Sequence, residues 1–335
     1  MSFARARTAL ALYLLLALAT GAGAPAFAEG RDASFPQRPL KLIVPFAPGG
    51  STDIVARLVA DKMQATLGQA VVVDNRAGSG GAIGSQAVAA AEPDGYTIGI
   101  GTVSTLAVNP ILLKASRVDP LKDFAPITAL ANVPSVFMVH PSFAGGHSFQ
   151  AVLAELRSKS DAYNMGSSGP GSISHLIIEA MNADLKIKLR HIPYRGMGPA
   201  MTAVLAGETQ VATDQYPSSA ANIRSGKLIA FAVGAHRRLE SLPEVPTLKE
   251  LGYLELNELA ITWFGIVAPA KTPEAVQQKL LDAASAAMRD PALLMRLKEL
   301  GMEPATGTPE AFRAQIASAL ERNRRIVRAA NIHAE

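Results

Sequence analysis

The feature that most constrains this chain is a repeated unit. A short apolar strand meets a joint of glycine and small hydroxyl residues, and an amphipathic helix follows. The first unit runs Leu40-Lys41-Leu42-Ile43-Val44, then Pro45 to Gly50, and Ser51-Thr52-Asp53 open the helix. Ile54, Val55, Leu58, Val59, Met63 and Leu67 recur at i, i+3 and i+4, the period of a helix that buries one face. Gly68 is placed to end it, and Val71 to Val73 start the next strand. The joint Gly78 to Gly81, a helix through Val88 and the strand Tyr96 to Ile100 repeat the plan, with Thr102 to Thr105 after the strand. A further strand, Ser135 to Val139, ends at His140-Pro141.

The pattern then starts afresh. A helix over Phe149 to Lys159 precedes the strand Tyr163 to Met165, the loop Gly166 to Gly171 and a helix from Ser172 to Met181. The strand Leu189 to Ile192 meets the turn Pro193 to Gly196 and a helix from Pro199 to Leu205. The strand Val211 to Thr213 ends at Asp214, a short helix covers Ser218 to Arg224, and Leu228 to Val233 form one more strand. Strands alternating with helices this regularly predict parallel sheets with helices on their faces. The last third is different: one strand, Trp263 to Ala268, then three helical patterns with no strand between them. Two of these open alike, Thr272-Pro273-Glu274-Ala275 and Thr308-Pro309-Glu310-Ala311, which predicts a threonine cap followed by proline in the first turn.

Ahead of the first unit, Arg5 and Arg7 precede the apolar run Ala9 to Ala19 and a small-residue stretch ending Ala26-Phe27-Ala28. That is the pattern of a secretory peptide over residues 1–28, cleaved near Ala28, and it predicts an exported protein. The apolar run is too short to span the roughly 30 Å hydrocarbon core of a bilayer. The formal charge of +4 falls to +2 without the two arginines, since 30 Lys+Arg then oppose 28 Asp+Glu. A nucleic-acid partner is therefore not expected, because reading phosphates needs a marked basic excess. The chain has no cysteine, which excludes disulfides, thiolate nucleophiles and zinc–thiolate sites.

In open parallel sheets ligands bind beyond the carboxyl ends of the strands, where helix N-termini present free N–H groups and positive dipole ends. At least four joints here fit that position, and the natural guest is an anion. Enzymatic patterns fail. Gly78-Ser79-Gly80 begins a dinucleotide fingerprint, but Ile83 stands in place of its third glycine, and no acidic residue closes a strand about 20 residues on. No Gly-Lys-Ser/Thr occurs, Pro170 breaks the nucleophile-elbow pattern after Gly169, and the six histidines lack metal spacing. No catalytic residue, metal or cofactor is expected. Asp53 sits in a helix start, where backbone N–H groups and the dipole can hold its charge, so it is expected to be architectural. Asp214 closes a strand without an obvious partner and is assigned to a donor on the ligand or to a bridging water. Arg195 could bind a carboxylate or stay solvated, and His175 could meet the ligand or be structural. The arginines of the last helix, Arg322, Arg324, Arg325 and Arg328, read as a solvated face.

These residues resemble the Bug proteins, the substrate-binding proteins of tripartite tricarboxylate transporters. The likeness starts in Pro39 to Arg57, with Pro-Gly-Gly-Ser-Thr-Asp at its centre. It continues through Val73-Asp74-Asn75-Arg76, Pro93 to Thr97, Asp119 to Phe124, Ser167 to His175, Ile192-Pro193-Tyr194 and Trp263-Phe264-Gly265. It implies an α/β, two-domain periplasmic binding protein of the Venus-flytrap, type II-like kind, non-enzymatic, with a ligand cleft between the domains. Domain one would take residues 33–138 plus 258–335, and domain two residues 139–257, because a run without helix signals precedes the return strand at Trp263. The ligand would be a small mono- or dicarboxylate, passed by a monomer to membrane subunits of the transporter or to a signalling partner. Carried over residue by residue, one wall offers Gly49, Gly50, Ser51, Thr52, Asp53, Ser104 and Thr105. The other offers Ser167, Ser168, Ser174, His175, Arg195, Gly196 and Asp214. The chain departs from the family where Asp214 lies between Thr213 and Gln215 rather than Phe and Asn, which alters that pocket. The alternative reading is an exported α/β hydrolase or transferase with a dispersed active site.

Overall fold

The computed structural model describes residues 35–114, 116–143, 147–159 and 161–332; the secretory peptide read over residues 1–28 lies outside them. Strand β1 (Leu40–Val44) is buried except at Lys41, as a strand covered by helices on both faces must be. It leads into α1 (Ser51–Leu67), whose Val55, Val59, Met63 and Leu67 are buried. Gly68 ends α1 in the left-handed conformation, φ 64°, and its N–H donates to the Gln64 carbonyl. Strands β2 (Val71–Asn75) and β3 (Thr97–Thr102) flank β1, both parallel to it, and α2 (Ala82–Ala89) connects them. β3 runs into a π-helical turn, Ser104–Val108, and then α3 (Asn109–Leu112).

The 16-residue β4 (Phe124–Val139) then passes from one stretch of sheet into another. Up to Pro134 it pairs antiparallel with β9 (Ile261–Pro269), and at Ala131 and Asn132 with the two-residue β10 (Glu303–Pro304). From Ser135 it pairs antiparallel with β7 (Val211–Gln215) and β8 (Ile229–Gly234). β5 (Asn164–Ser167) lies parallel between β7 and β6 (Arg190–Pro193). The strand order is β2-β1-β3-β9-β4-β7-β5-β6. Residues Pro36–Glu335 form one compact unit. The remaining helices are α4 (Phe149–Ser158), α5 (Ile173–Leu185), α6 (Met197–Leu205), α7 (Tyr216–Arg224), α8 (Leu254–Ala260), α9 (Glu274–Ala287), α10 (Pro291–Glu299) and α11 (Pro309–Ala329). On α11 Phe312 packs edge-on against Trp263, ring centroids 5.4 Å apart.

Five expectations are corrected. The sheets are mixed rather than parallel, because β4 and β9 run against their neighbours. Sequence periodicity detects only the end of β4; Pro126, Pro134 and two register shifts disguise the rest of the strand. Helix α8 stands in the run that lacks helix signals. It has no side-chain cap, but its Asn257 is buried, donates to the Ala235 carbonyl at 3.1 Å and accepts the Ala235 and Lys249 N–H groups at 3.3 Å. Thr308 caps α11 by accepting the Ala311 N–H, whereas Thr272 donates to the Pro269 carbonyl and leaves Pro273 at the α9 cap. The three C-terminal helices are also interrupted by β10.

Gly84, inside α2, lets that helix lie directly on the start of the loop that opens the site. A Cβ at Gly84 would sit 2.6 Å from Pro45 Cα and 2.7 Å from the Arg76 carbonyl oxygen, both backbone atoms that cannot turn aside. Gly84→Ala is expected to cost about 1–3 kcal/mol of unfolding free energy by overpacking. Urea denaturation measures it, and an unchanged midpoint would contradict this close approach.

Candidate ligand-binding cleft

Each strand of the first unit type delivers a helix start to the same place. β1 ends at the Pro45–Gly50 loop and α1, β3 at the π-helical turn, β5 at the 168–172 loop and α5, β6 at α6, and β7 directly at α7. Ser51, Ser104, Ile173, Met197 and Gln215, one from each of these starts, line a single cavity of about 550 Å³, counting its open mouth. Phe46, Ile177, Trp263 and Phe264 supply apolar wall. None of the residues lining the cavity is lysine, arginine or histidine. An anion there would meet N–H groups, hydroxyls and helix dipoles, and no formal cation.

The polar side-chain contacts between the two walls come from serines and one asparagine. The Ser51 and Ser218 hydroxyls are 2.7 Å apart, and the Ser218 N–H donates to Ser51 Oγ at 3.1 Å. The Ile173 N–H at the start of α5 donates to Ser104 Oγ at 2.9 Å. Asn109 donates from one amide nitrogen to the Gly171 carbonyl at 2.8 Å and the Gly80 carbonyl at 3.2 Å. Gly80 has φ 58°, and a side chain on it would collide with the Pro170 carbonyl of the facing loop. The two walls are therefore in contact, and several of the donors that could meet a ligand are satisfied across the cleft.

Seven of the residues singled out from sequence line the cavity: Gly50, Ser51, Thr52, Ser104, Ser168, Ser174 and Asp214. The other seven do not. Gly49 is an exposed residue of the first loop and Asp53 lies beneath it, its Oδ2 accepting the Gly49 N–H at 3.2 Å. Asp53 is buried; its carboxylate pairs with Arg57 at 3.0 Å and accepts from Asn75 at 3.0 Å. Burial alone would raise its pKa, but these hydrogen bonds and the Arg57 charge outweigh that and hold it below the ordinary carboxylate range. Its charge thus rests on two side chains besides the backbone donor expected from sequence. Thr105 folds back on Thr102, donating to its carbonyl at 3.3 Å and accepting its N–H at 3.1 Å. Gly196 stands at the cap of α6, and Arg195 is exposed.

Ser167 and His175 form part of a buried cluster behind the second wall. The His175 and His191 rings stack with centroids 4.2 Å apart, Ser167 Oγ lies 2.5 Å from His191 Nε2, and His175 Nδ1 accepts the Gly171 N–H at 3.2 Å. Burial, with the His175 ring beside it, lowers the His191 pKa to about 4. Among the described residues no cluster of His, Cys, Asp and Glu could hold a metal, and no helix is long and apolar enough to cross a membrane.

Asp214 is corrected in one respect: it has partners. The Gln215 N–H donates to Oδ1 at 2.8 Å and the Ser218 hydroxyl to Oδ2, because α7 begins directly after the strand. Ser218 and Asn109, which hold the walls together, were missed in the sequence. Ser218 lies in the first turn of a helix that opens on a strand end, the position already used to find Ser51, whereas Asn109 follows an irregular turn and carries no such signal.

A family model described as "Tripartite tricarboxylate transporter family receptor" matches residues 55–332. The chain belongs to this family. Protein BugT of Bordetella pertussis is 35% identical over 88% of this chain and 90% of its own. The solved periplasmic binding protein BugD is 33% identical, with TM-score 0.86 over 90% of this chain and 100% of its own. MatC from Rhodopseudomonas palustris, solved with bound malate, is 31% identical, TM-score 0.83, over 88% and 100%. An R. palustris protein solved with adipate is 29% identical, TM-score 0.86, over 90% and 100%. This chain is a Bug-type periplasmic solute-binding protein with the two-domain binding-protein fold, and the hydrolase or transferase alternative falls away with that membership.

Two outcomes follow for this receptor. Because His191 is kept neutral, its folded pKa lies below the unfolded value of 6.5, so the unfolded state takes the proton first. Stability is expected to fall as pH drops from 6.5 to about 4. Thermal unfolding of wild type and His191→Gln across that window tests it, and an equal fall in both would exclude His191 as the cause. Asp53→Ala should cost about 1–3 kcal/mol in chemical denaturation, since Asn75 and the Gly49 N–H lose a buried acceptor; wild-type stability would assign that loop's shape to other contacts.

Proposed function

We propose that this receptor captures a small mono- or dicarboxylate in the cleft and delivers it, as a monomer, to membrane subunits of a tripartite tricarboxylate-type transporter or to a signalling partner. The observation that carries the reading is the convergence of the α1, α5, α6 and α7 N-termini on one cavity. Such ends attract negative charge. The malate and adipate in two relatives favour the same ligand class. On this reading Gly50, Ser51, Thr52, Ser104, Ser168, Ser174 and Asp214 touch the ligand. Gly49, Asp53, Thr105, Ser167, His175 and Gly196 shape the loops behind them, and Arg195 guides an anion to the mouth. Secretion through residues 1–28, with cleavage near Ala28, delivers the chain to the periplasm. The domains would comprise residues 33–138 plus 258–335 and residues 139–257, closing about β4 and the return into β9.

Calorimetric titration with malate, adipate, butyrate and hexanoate tests the ligand class, with small-angle scattering on the same samples. Heat from at least one carboxylate and a smaller radius of gyration on binding are expected. No heat from any of the four would overturn the reading.

A further inference from the structure

The cavity proposed to receive an anion carries one ionisable side chain, and that side chain is an acid. Asp214 is 4% exposed and lines the cavity. The strands packed on or near it, β4, β5 and β9, bring no ionisable residue, and neither does α6. Helix α1 brings Asp53 and Arg57, which pair with each other, and Asp61 and Lys62; α5 brings His175, Glu179 and Asp184, and α7 brings Tyr216 and Arg224; none of these lines the cavity. An ionised Asp214 beside a ligand carboxylate would therefore repel it with no cation between them. Burial already disfavours that charge, outweighing the Ser218 and Gln215 hydrogen bonds and pushing the carboxyl up to about 7.

The local hydrogen-bond pattern accommodates the neutral acid. The Gln215 N–H donates to Oδ1 and the Ser218 O–H to Oδ2, and both oxygens can go on accepting when one of them carries a proton. The acid O–H is then the remaining donor, on a residue that faces the cavity. The neighbouring Thr213, 1% exposed, lines the same cavity, and its hydroxyl has no partner in the protein. This end of the cleft thus holds donor-capable groups and no positive charge.

We propose that Asp214 binds one carboxylate of a dicarboxylate as the neutral acid, sharing its proton with the ligand, so that capture takes up a proton. The inference rests on the carboxylate reading above. It makes Asp214 a specificity residue: at that end a fully ionised dicarboxylate is held only with a proton, and release is favoured where protons are scarce.

Calorimetric titration of the wild-type protein with malate and adipate, in buffers of differing ionisation enthalpy, reads the proton directly. About one proton should be taken up per ligand above pH 7, with affinity falling about tenfold per pH unit from roughly pH 7.5 to 9. Asp214→Asn, neutral at every pH and still a donor, should bind with affinity changing less than about threefold over that range. Thermal unfolding verifies that the variant is folded, and the wild-type proton count stands without it. Wild-type binding that takes up no proton, or that tightens as pH rises, overturns the inference while leaving the carboxylate reading intact. Binding of neither dicarboxylate at any pH by the wild type overturns the inference, and the carboxylate reading falls with it only if butyrate and hexanoate also give no heat.

Discussion

The structure depends on bringing several helix N-termini to one point without a cation to neutralise what they attract. Each helix start leaves N–H groups that no helix carbonyl can accept from, and water or a partner must satisfy them. Here α1 and α7, and the π-helical turn and α5, approach closely enough that serine hydroxyls serve as those partners across the cleft. A hydroxyl is both donor and acceptor, so the same serines can bond to each other or turn to an anion. Lysine or arginine at these positions would fix the ligand's charge more firmly but could not be satisfied by the opposite wall.

Two aspartates show how position decides the role of one side chain. Asp53 lies beneath the first loop, with Arg57 one helical turn away and Asn75 at the end of β2, and both favour its charge. Asp214 lies at the end of β7 with only a hydroxyl and an N–H, and burial prevails. The first stabilises the Pro45–Gly50 loop that leads into α1. The second lines the cavity as its one ionisable side chain.

What links the two walls is the pair of long strands β4 and β9. β4 belongs to both stretches of sheet, and β9 returns the chain beside it into the first. The change of partner falls near Pro134 and Ser135, and one buried apolar cluster runs across it, from Leu106 and Trp263 on one side to Ile173 and Phe231 on the other.

The strand–joint–helix units, the Gly68 stop, the Thr308 cap and the loops that open α1 and α5 were legible in the chain, because each follows from periodicity or from the backbone preference of one residue. So was the absence of any thiolate chemistry, since the chain has no cysteine. The first part of β4 was not, for its prolines and bulges are tolerated only by the pairing partners it finds in space. α8 was hidden for a like reason: Asn257 is anchored by the distant Ala235 and Lys249 backbones. The partners of Asp214, the stacking of His175 on His191 and the Ser51–Ser218 bridge join residues that sequence spacing does not relate. Local patterns determine which segments can form and where anions are welcome; only the tertiary structure decides which hydroxyls face each other, because that depends on how the two walls close.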